Sequence, residues 1–195
     1  MATVGAGKDE LRATMLAARA ARPRADQDRA ALGFADQALT VPAVADGPTV
    51  AAFLGQAGEP ETVPLVEALR GRGVTVLLPV LLDDFDLDWG AYEPGQQTAG
   101  RFGLLVPTTR RLGVDAIASV AAVVCPGLAV DLAGNRMGRG GGSYDRALAR
   151  CGPAVLRCQL VYDDEVLQAV PVAEHDQPVD VIVTPTRTVR TSRPR

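Results

Sequence analysis

VCPGLAVDLAGNRMGRGGGSYDRALAR, residues 124–150, decides how the rest of the chain is read. The small apolar run over 120–124 ends in Cys125-Pro126-Gly127, as a buried strand ends at a turn. A short turn through Asp131 and Gly134 leads to Arg136, Met137, Gly138, Arg139 and three successive glycines, Gly140, Gly141 and Gly142. Ser143-Tyr144-Asp145 then opens a predicted helix. Consecutive glycines are costly in a packed element, because glycine loses the most backbone entropy on ordering. They suit a loop whose bare N–H groups approach an anion closely, beside a helix start that adds partial positive charge. Arg136 and Arg139 offer planar forks for phosphate or carboxylate oxygens, and Asp145 offers a hard oxygen for magnesium. The stretch is not a Walker A loop, which needs Gly-Lys-Ser/Thr, nor a dinucleotide fingerprint, whose third glycine falls on Ser143. Glycine spacing alone fits a surface turn as well as a phosphate loop; the flanking arginines, strand and helix favour phosphate.

Downstream, residues 155–162 (VLRCQLVY) and 179–183 (VDVIV) read as strands, with a short helix predicted at 163–168. Upstream, residues 49–54 (TVAAFL) and 74–81 (VTVLLPVL) read as buried strands around a helix that runs from Thr62, its candidate N-cap, to Arg70. That strand–helix–strand unit has the size of a parallel crossover. Residues 83–92 alternate polar and apolar as a half-exposed strand, and Trp89 and Tyr92 at strand spacing are expected to pack in the core. Two helices come first: about 8–21, with Leu11, Met15 and Ala18 on one face, and about 25–39, carrying Leu32, Phe34 and Leu39. Such a pattern predicts a three-layer α/β/α domain over residues 1–187 with a mostly parallel sheet, ligands binding beyond the carboxyl ends of the strands. The arginine-rich residues 188–195 are expected to be a disordered tail.

Composition narrows the function. With 47% hydrophobic and 22% charged residues in 195, the chain is that of an ordinary globular protein. A net charge of −3 gives no overall basic field for nucleic acid. Lys8 is the only lysine, so a compact ammonium was retained there among arginines. Three cysteines without CxxC spacing indicate neither a disulfide framework nor a zinc site. No apolar run reaches the roughly 20 residues of a membrane span, and no signal peptide is visible. A cytoplasmic monomer is expected.

PGLAVDLAGNRMGRGGGSYDR resembles the signature of the 5-formyltetrahydrofolate cyclo-ligase family, P-G-x-A-F-D-x-x-G-x-R-L-G-[basic]-G-x-G-Y-Y-D. Further segments match in order: Lys8 to Arg12 as K-x-x-L-R, Leu54 to Thr62 as a loop ending E-x-x-T, Gly100 to Gly103 as G-x-F-G, and Glu174-His175-Asp176 with Val179-Asp180 as E-x-D…V-D. The resemblance implies the fold of ribose-5-phosphate isomerases and CoA transferases. It also implies a reaction: 5-formyltetrahydrofolate and MgATP give 5,10-methenyltetrahydrofolate, ADP and phosphate. Phosphoryl transfer to the formyl oxygen makes an iminophosphate, which N10 then attacks to expel phosphate. By resemblance, Lys8, Arg12 and the 136–144 segment (Arg136, Met137, Gly138, Arg139, Gly140, Gly141, Gly142, Ser143, Tyr144) hold ATP, with Arg139 and Lys8 acting in catalysis. Leu54, Glu59, Arg139, Gly140, Gly141, Gly142 and Ser143 contact the folate; Asp145 and Asp180 carry magnesium. Ser143 departs from the family's first tyrosine and removes an aromatic wall beside the loop. Two rival readings stand beside this one. A phosphosugar or acyl-transfer enzyme would rely on Glu59, and a non-catalytic folate- or nucleotide-binding protein would account for Ser143.

Overall fold

The computed structural model describes residues 4–56 and 58–193. Three helices come first: α1 (Val4–Ala20), α2 (Arg24–Ala38) and α3 (Pro42–Ala45). β1 (Thr49–Ala51), α4 (Val63–Gly71) and β2 (Thr75–Leu81) form the expected parallel crossover, with Thr49 opposite Thr75. β3 (Leu87–Ala91) returns antiparallel on β2, and β4 (Gln97–Ala99) and β5 (Leu105–Pro107) make a separate ribbon. β6 (Ala122–Pro126) is followed by the hairpin β7 (Ala129–Asp131) and β8 (Arg136–Met137), then by α5 (Ser143–Ala149). β9 (Leu156–Leu160), β10 (Val166–Leu167), β11 (Val181–Val183) and β12 (Thr188–Arg190) complete the chain.

The main sheet has the order β12-β11-β9-β6-β1-β2-β3. Its five inner strands are mutually parallel and both edges are antiparallel. Successive strand residues point to opposite faces, so each strand feeds two cores. Val50, Ala122 and Val124 pack with Phe34, Leu65 and Leu69 of α2 and α4, whereas Ala51, Val123 and Cys125 pack with Ala147 and Leu148 of α5. The result is a large, mostly parallel sheet between two helical layers. Trp89 is fully buried in the second core, as its strand spacing predicts. All three cysteines are buried. Burial pushes the Cys125 and Cys151 thiols up to about 11.

Several local expectations are corrected. The tail does not become disordered at 188: Thr188–Arg190 pairs with β11, and Thr191 N and Ser192 N donate to Asp180 O at 3.0 Å and Leu132 O at 2.9 Å. β-branched Thr188 and Val189 favour this edge strand in spite of the flanking arginines. Residues 194–195 lie outside the described residues. The helix predicted at 163–168 is a single 3-10 turn, Asp163–Glu165, because Val166–Leu167 pairs instead with β7 in a second, three-stranded sheet. Thr62 stands at the N-cap of α4, but its hydroxyl donates to Phe53 O; the Glu61 carboxylate caps the helix, accepting from Thr62 N at 2.8 Å and Val63 N at 3.0 Å.

Helix α1 packs on the small sheet. Leu11 and Met15 meet Leu128, Ala129, Met137 and Val170. Ala18, expected on that face, is exposed, and Arg19 is buried in its place. Its guanidinium is satisfied by Glu165 (2.6 and 2.7 Å) and by Gly127 O (2.5 Å). Lys8, Leu11, Arg12, Met15 and Arg19 therefore share one helical stripe in which apolar contacts hold the cations in place.

Candidate active site

A cavity of about 690 Å³ opens at the carboxyl ends of β1, β2 and β6. One wall comes from the β8–α5 connection: Arg136, Met137, the 138–142 loop, Ser143, Tyr144 and Asp145. α1 adds Lys8 and Arg12, and the exit from β1 adds Leu54 and Glu59. The chain reverses tightly there, since a Cβ on Gly55 would lie 2.1 Å from Pro60 O. The residues predicted from the glycine stretch, the N-terminal helix and the Leu54–Glu59 loop are thus brought to one cavity.

Asp180 is not. It precedes β11, at the amino end of the sheet. Its Oδ2 accepts from Arg157 N at 2.9 Å, and its Oδ1 lies 3.8 Å from Arg193 Nη1. The expectation of a magnesium pair formed with Asp145 is therefore not met: Asp180 lies at the amino ends of the strands and does not line the cavity.

The glycines have physical work in the loop. Gly140 and Gly142 adopt φ of +102° and +68°, values that side-chain-bearing residues avoid. Each cavity cation already faces an anion. Lys8 pairs with Asp176 and Arg12 with Asp9. Arg136 Nη2 lies 2.5 Å from Asp145 Oδ1, and Arg139 Nε lies 2.8 Å from Glu59 Oε1. Arg12 Nε also donates to Gly138 O at 3.2 Å, tying the first helix to the loop.

Could this wall hold a magnesium-bound triphosphate? Asp145 Oδ1 is occupied by Arg136 and by Gln177 N at 3.0 Å, which leaves Oδ2 for a metal ion. Among the described residues no three His, Cys, Asp or Glu side chains form a preformed metal cage. That fits magnesium, which keeps waters and takes one or two carboxylates together with phosphate oxygens. The Tyr144 hydroxyl is buried at the cavity with no hydrogen-bond partner among the described residues. Burial, chiefly, pushes its pKa well above the ordinary phenol value, so it stays protonated.

Some site residues escaped the sequence reading. Asp176 holds Lys8, and its only sequence signal was the E-x-D spacing. His175 also lines the mouth, with its side chain 76% exposed. Phe85 and Phe102 also line the mouth, both with positive φ (65° and 55°), a property invisible in sequence. Burial would raise the Asp176 carboxyl, but Lys8 and the Ala173 N–H outweigh it and hold the group below its ordinary 3.8. A carboxyl lower in the folded than the unfolded chain stabilises above about pH 4, and that stability is lost as pH falls through the native value. Asp176→Asn is accordingly expected to lower Tm most at neutral pH. Circular-dichroism melts of variant and wild type should converge as pH falls through the lowered native pKa of Asp176; a gap independent of pH would refute the pairing.

Comparison with known proteins follows the same lines. The 5-formyltetrahydrofolate cyclo-ligase family matches residues 4–185. The 5-formyltetrahydrofolate cyclo-ligase of Mycolicibacterium smegmatis is 37% identical over 146 residues, covering 72% of this chain and 75% of its own. That of Escherichia coli K12 is 32% identical over 157 residues, covering 78% and 86%. The solution structure of Aquifex aeolicus 5,10-methenyltetrahydrofolate synthetase superposes with a TM-score of 0.82 at 27% identity, covering 96% of this chain and 94% of that one. The Mycoplasma pneumoniae synthetase, at 16% identity and a TM-score of 0.73, shares the fold. With the match spanning the first helix, the cavity loops and most of the sheet, the chain belongs to the 5-formyltetrahydrofolate cyclo-ligase family.

Proposed function

We propose that this enzyme cyclises 5-formyltetrahydrofolate to 5,10-methenyltetrahydrofolate at the cost of ATP, with magnesium. The observation that carries the reading is the meeting of four cations and a glycine loop on one wall with Leu54 and Glu59 on another. MgATP would supply the γ-phosphoryl that turns the formyl oxygen, a poor leaving group, into phosphate, so that N10 can close the ring. The protein's part is to align the reactants and neutralise charge, as such transfers require. The amides of residues 138–142 would cradle phosphate oxygens, with Arg12, Arg136 and Met137 bounding the nucleotide side. Arg139 and Lys8 would face the transferring group. Glu59 would accept from ring N–H groups of the folate, Leu54 would pack on its ring, and Asp145 Oδ2 would hold the metal ion. The proposed unit is a cytoplasmic monomer. No helix among the described residues is long and apolar enough to cross a membrane.

Mixing the protein with 5-formyltetrahydrofolate and MgATP should produce the near-ultraviolet absorption of the methenyl product, at a rate proportional to enzyme. Intact binding by calorimetry without that absorption would instead indicate a non-catalytic folate-binding protein.

A further inference from the structure

Three arginines converge on residues 82–86, the tip between β2 and β3. Arg101 Nη1 donates to Leu82 O at 2.9 Å and Asp83 Oδ1 at 3.1 Å. Arg150 grips Asp86 through two nitrogens, at 3.0 and 2.5 Å. Arg146 is different, because its partners lie on two separate loops. One nitrogen, Nη2, donates to Phe85 O at 2.8 Å and to Gly141 O at 2.9 Å. The hairpin tip and the glycine loop are thereby joined through a single atom.

Phe85 is the residue under tension. Its φ of 65° is a conformation that bulky residues rarely adopt, and it persists only where neighbouring contacts over-determine it. The ring is not hidden in the core: Phe85 is 41% exposed and lines the cavity mouth. Arg101 Cζ lies 5.5 Å from its centroid. A Cβ built on Gly141 would lie 3.9 Å from Phe85 Cδ1 and 3.6 Å from Ser143 Oγ. The ring therefore stands beside the position where the family signature has a tyrosine and this chain has Ser143.

We infer that Arg146 is a positioning residue that pins the hairpin tip to the glycine loop, so that the Phe85 ring forms the aromatic wall on which the folate's planar ring stacks. The inference rests on the folate reading of the cavity. Arg146 itself is exposed and touches carbonyls, not the reacting atoms.

Arg146→Met keeps the stem and removes the donors. The KM for 5-formyltetrahydrofolate should rise about five- to tenfold, the range of one lost aromatic contact, with kcat falling by less. Arg146→Lys, which keeps a cationic donor at the end of the stem, should restore most of the wild-type KM. Phe85→Gly removes the ring and accepts the positive φ, so KM should rise by a similar factor with Tm not lowered. If Arg146 acts through that ring, adding Arg146→Met to Phe85→Gly should change KM by less than about twofold. A wild-type KM in Phe85→Gly, additive effects in the double variant, or equal losses in the Lys and Met variants would each overturn the inference. Wild-type turnover, measured first, separates these outcomes from failure of the cyclo-ligase reading itself.

Discussion

Arg139→Ala should lower kcat by about two to four orders of magnitude while leaving the fold intact, because a donor aimed at a transferring phosphoryl is worth that much. Its side chain is 46% exposed and its ion-pair partner is Glu59, so no core packing depends on it. Stopped-flow single turnover, with Tm as control, measures the effect. Arg139→Lys should recover only part of the loss, since one ammonium cannot reproduce a planar fork. The substitution also strands Glu59, only 10% exposed, without its cation. Folate affinity should therefore change together with turnover. Wild-type kcat in Arg139→Ala would mean that the γ-phosphate lies elsewhere.

The largest effect on stability is expected at Arg19→Met. Arg19 and Glu165 are each about 2% exposed and form a two-point ion pair between α1 and the turn after β9. Removing one partner of a buried pair leaves an uncompensated charge and costs about 3–5 kcal/mol. For a chain of this size that corresponds to a drop in Tm of roughly 6–20 °C, read from circular-dichroism melts. Arg19→Met with Glu165→Met should be less destabilising than Arg19→Met alone, since neither charge is then buried unpaired. Gly127 O also loses its donor, and Gly127 lines the cavity. A Tm within 2 °C of wild type would show the pair to be dispensable.

The features legible in sequence were those written in contiguous residues. The runs at 49–54, 74–81 and 120–125 announced buried strands, and each delivers one, although β1 is only three residues long. The glycine stretch announced its loop because consecutive glycines have few other uses. What escaped depends on partners distant in the chain. Arg19 gave no signal because its partner Glu165 is 146 residues away. β8 and β10, two residues each, are too short to carry a periodic pattern. Asp180 was assigned to the metal beside Asp145 by the family resemblance, whereas the strand that follows it fixes it at the amino end of the sheet. Phe85 gave no signal, since a phenylalanine is not a residue from which a positive φ in a tight turn is expected.

The pairing of every cavity cation with a resident carboxylate has a consequence for selectivity. A monovalent anion brings one charge to a guanidinium that already has one at 2.5–2.8 Å, and gains little by exchange. A chelated polyphosphate, on the proposed reading, would bring several charges at once and meet bare amides as well, and so would compete for several of these cations together. The ligand-free pocket should thus be nearly indifferent to chloride and bicarbonate, and discrimination is exerted by the number of simultaneous exchanges a visitor can make, not by the strength of any single attraction.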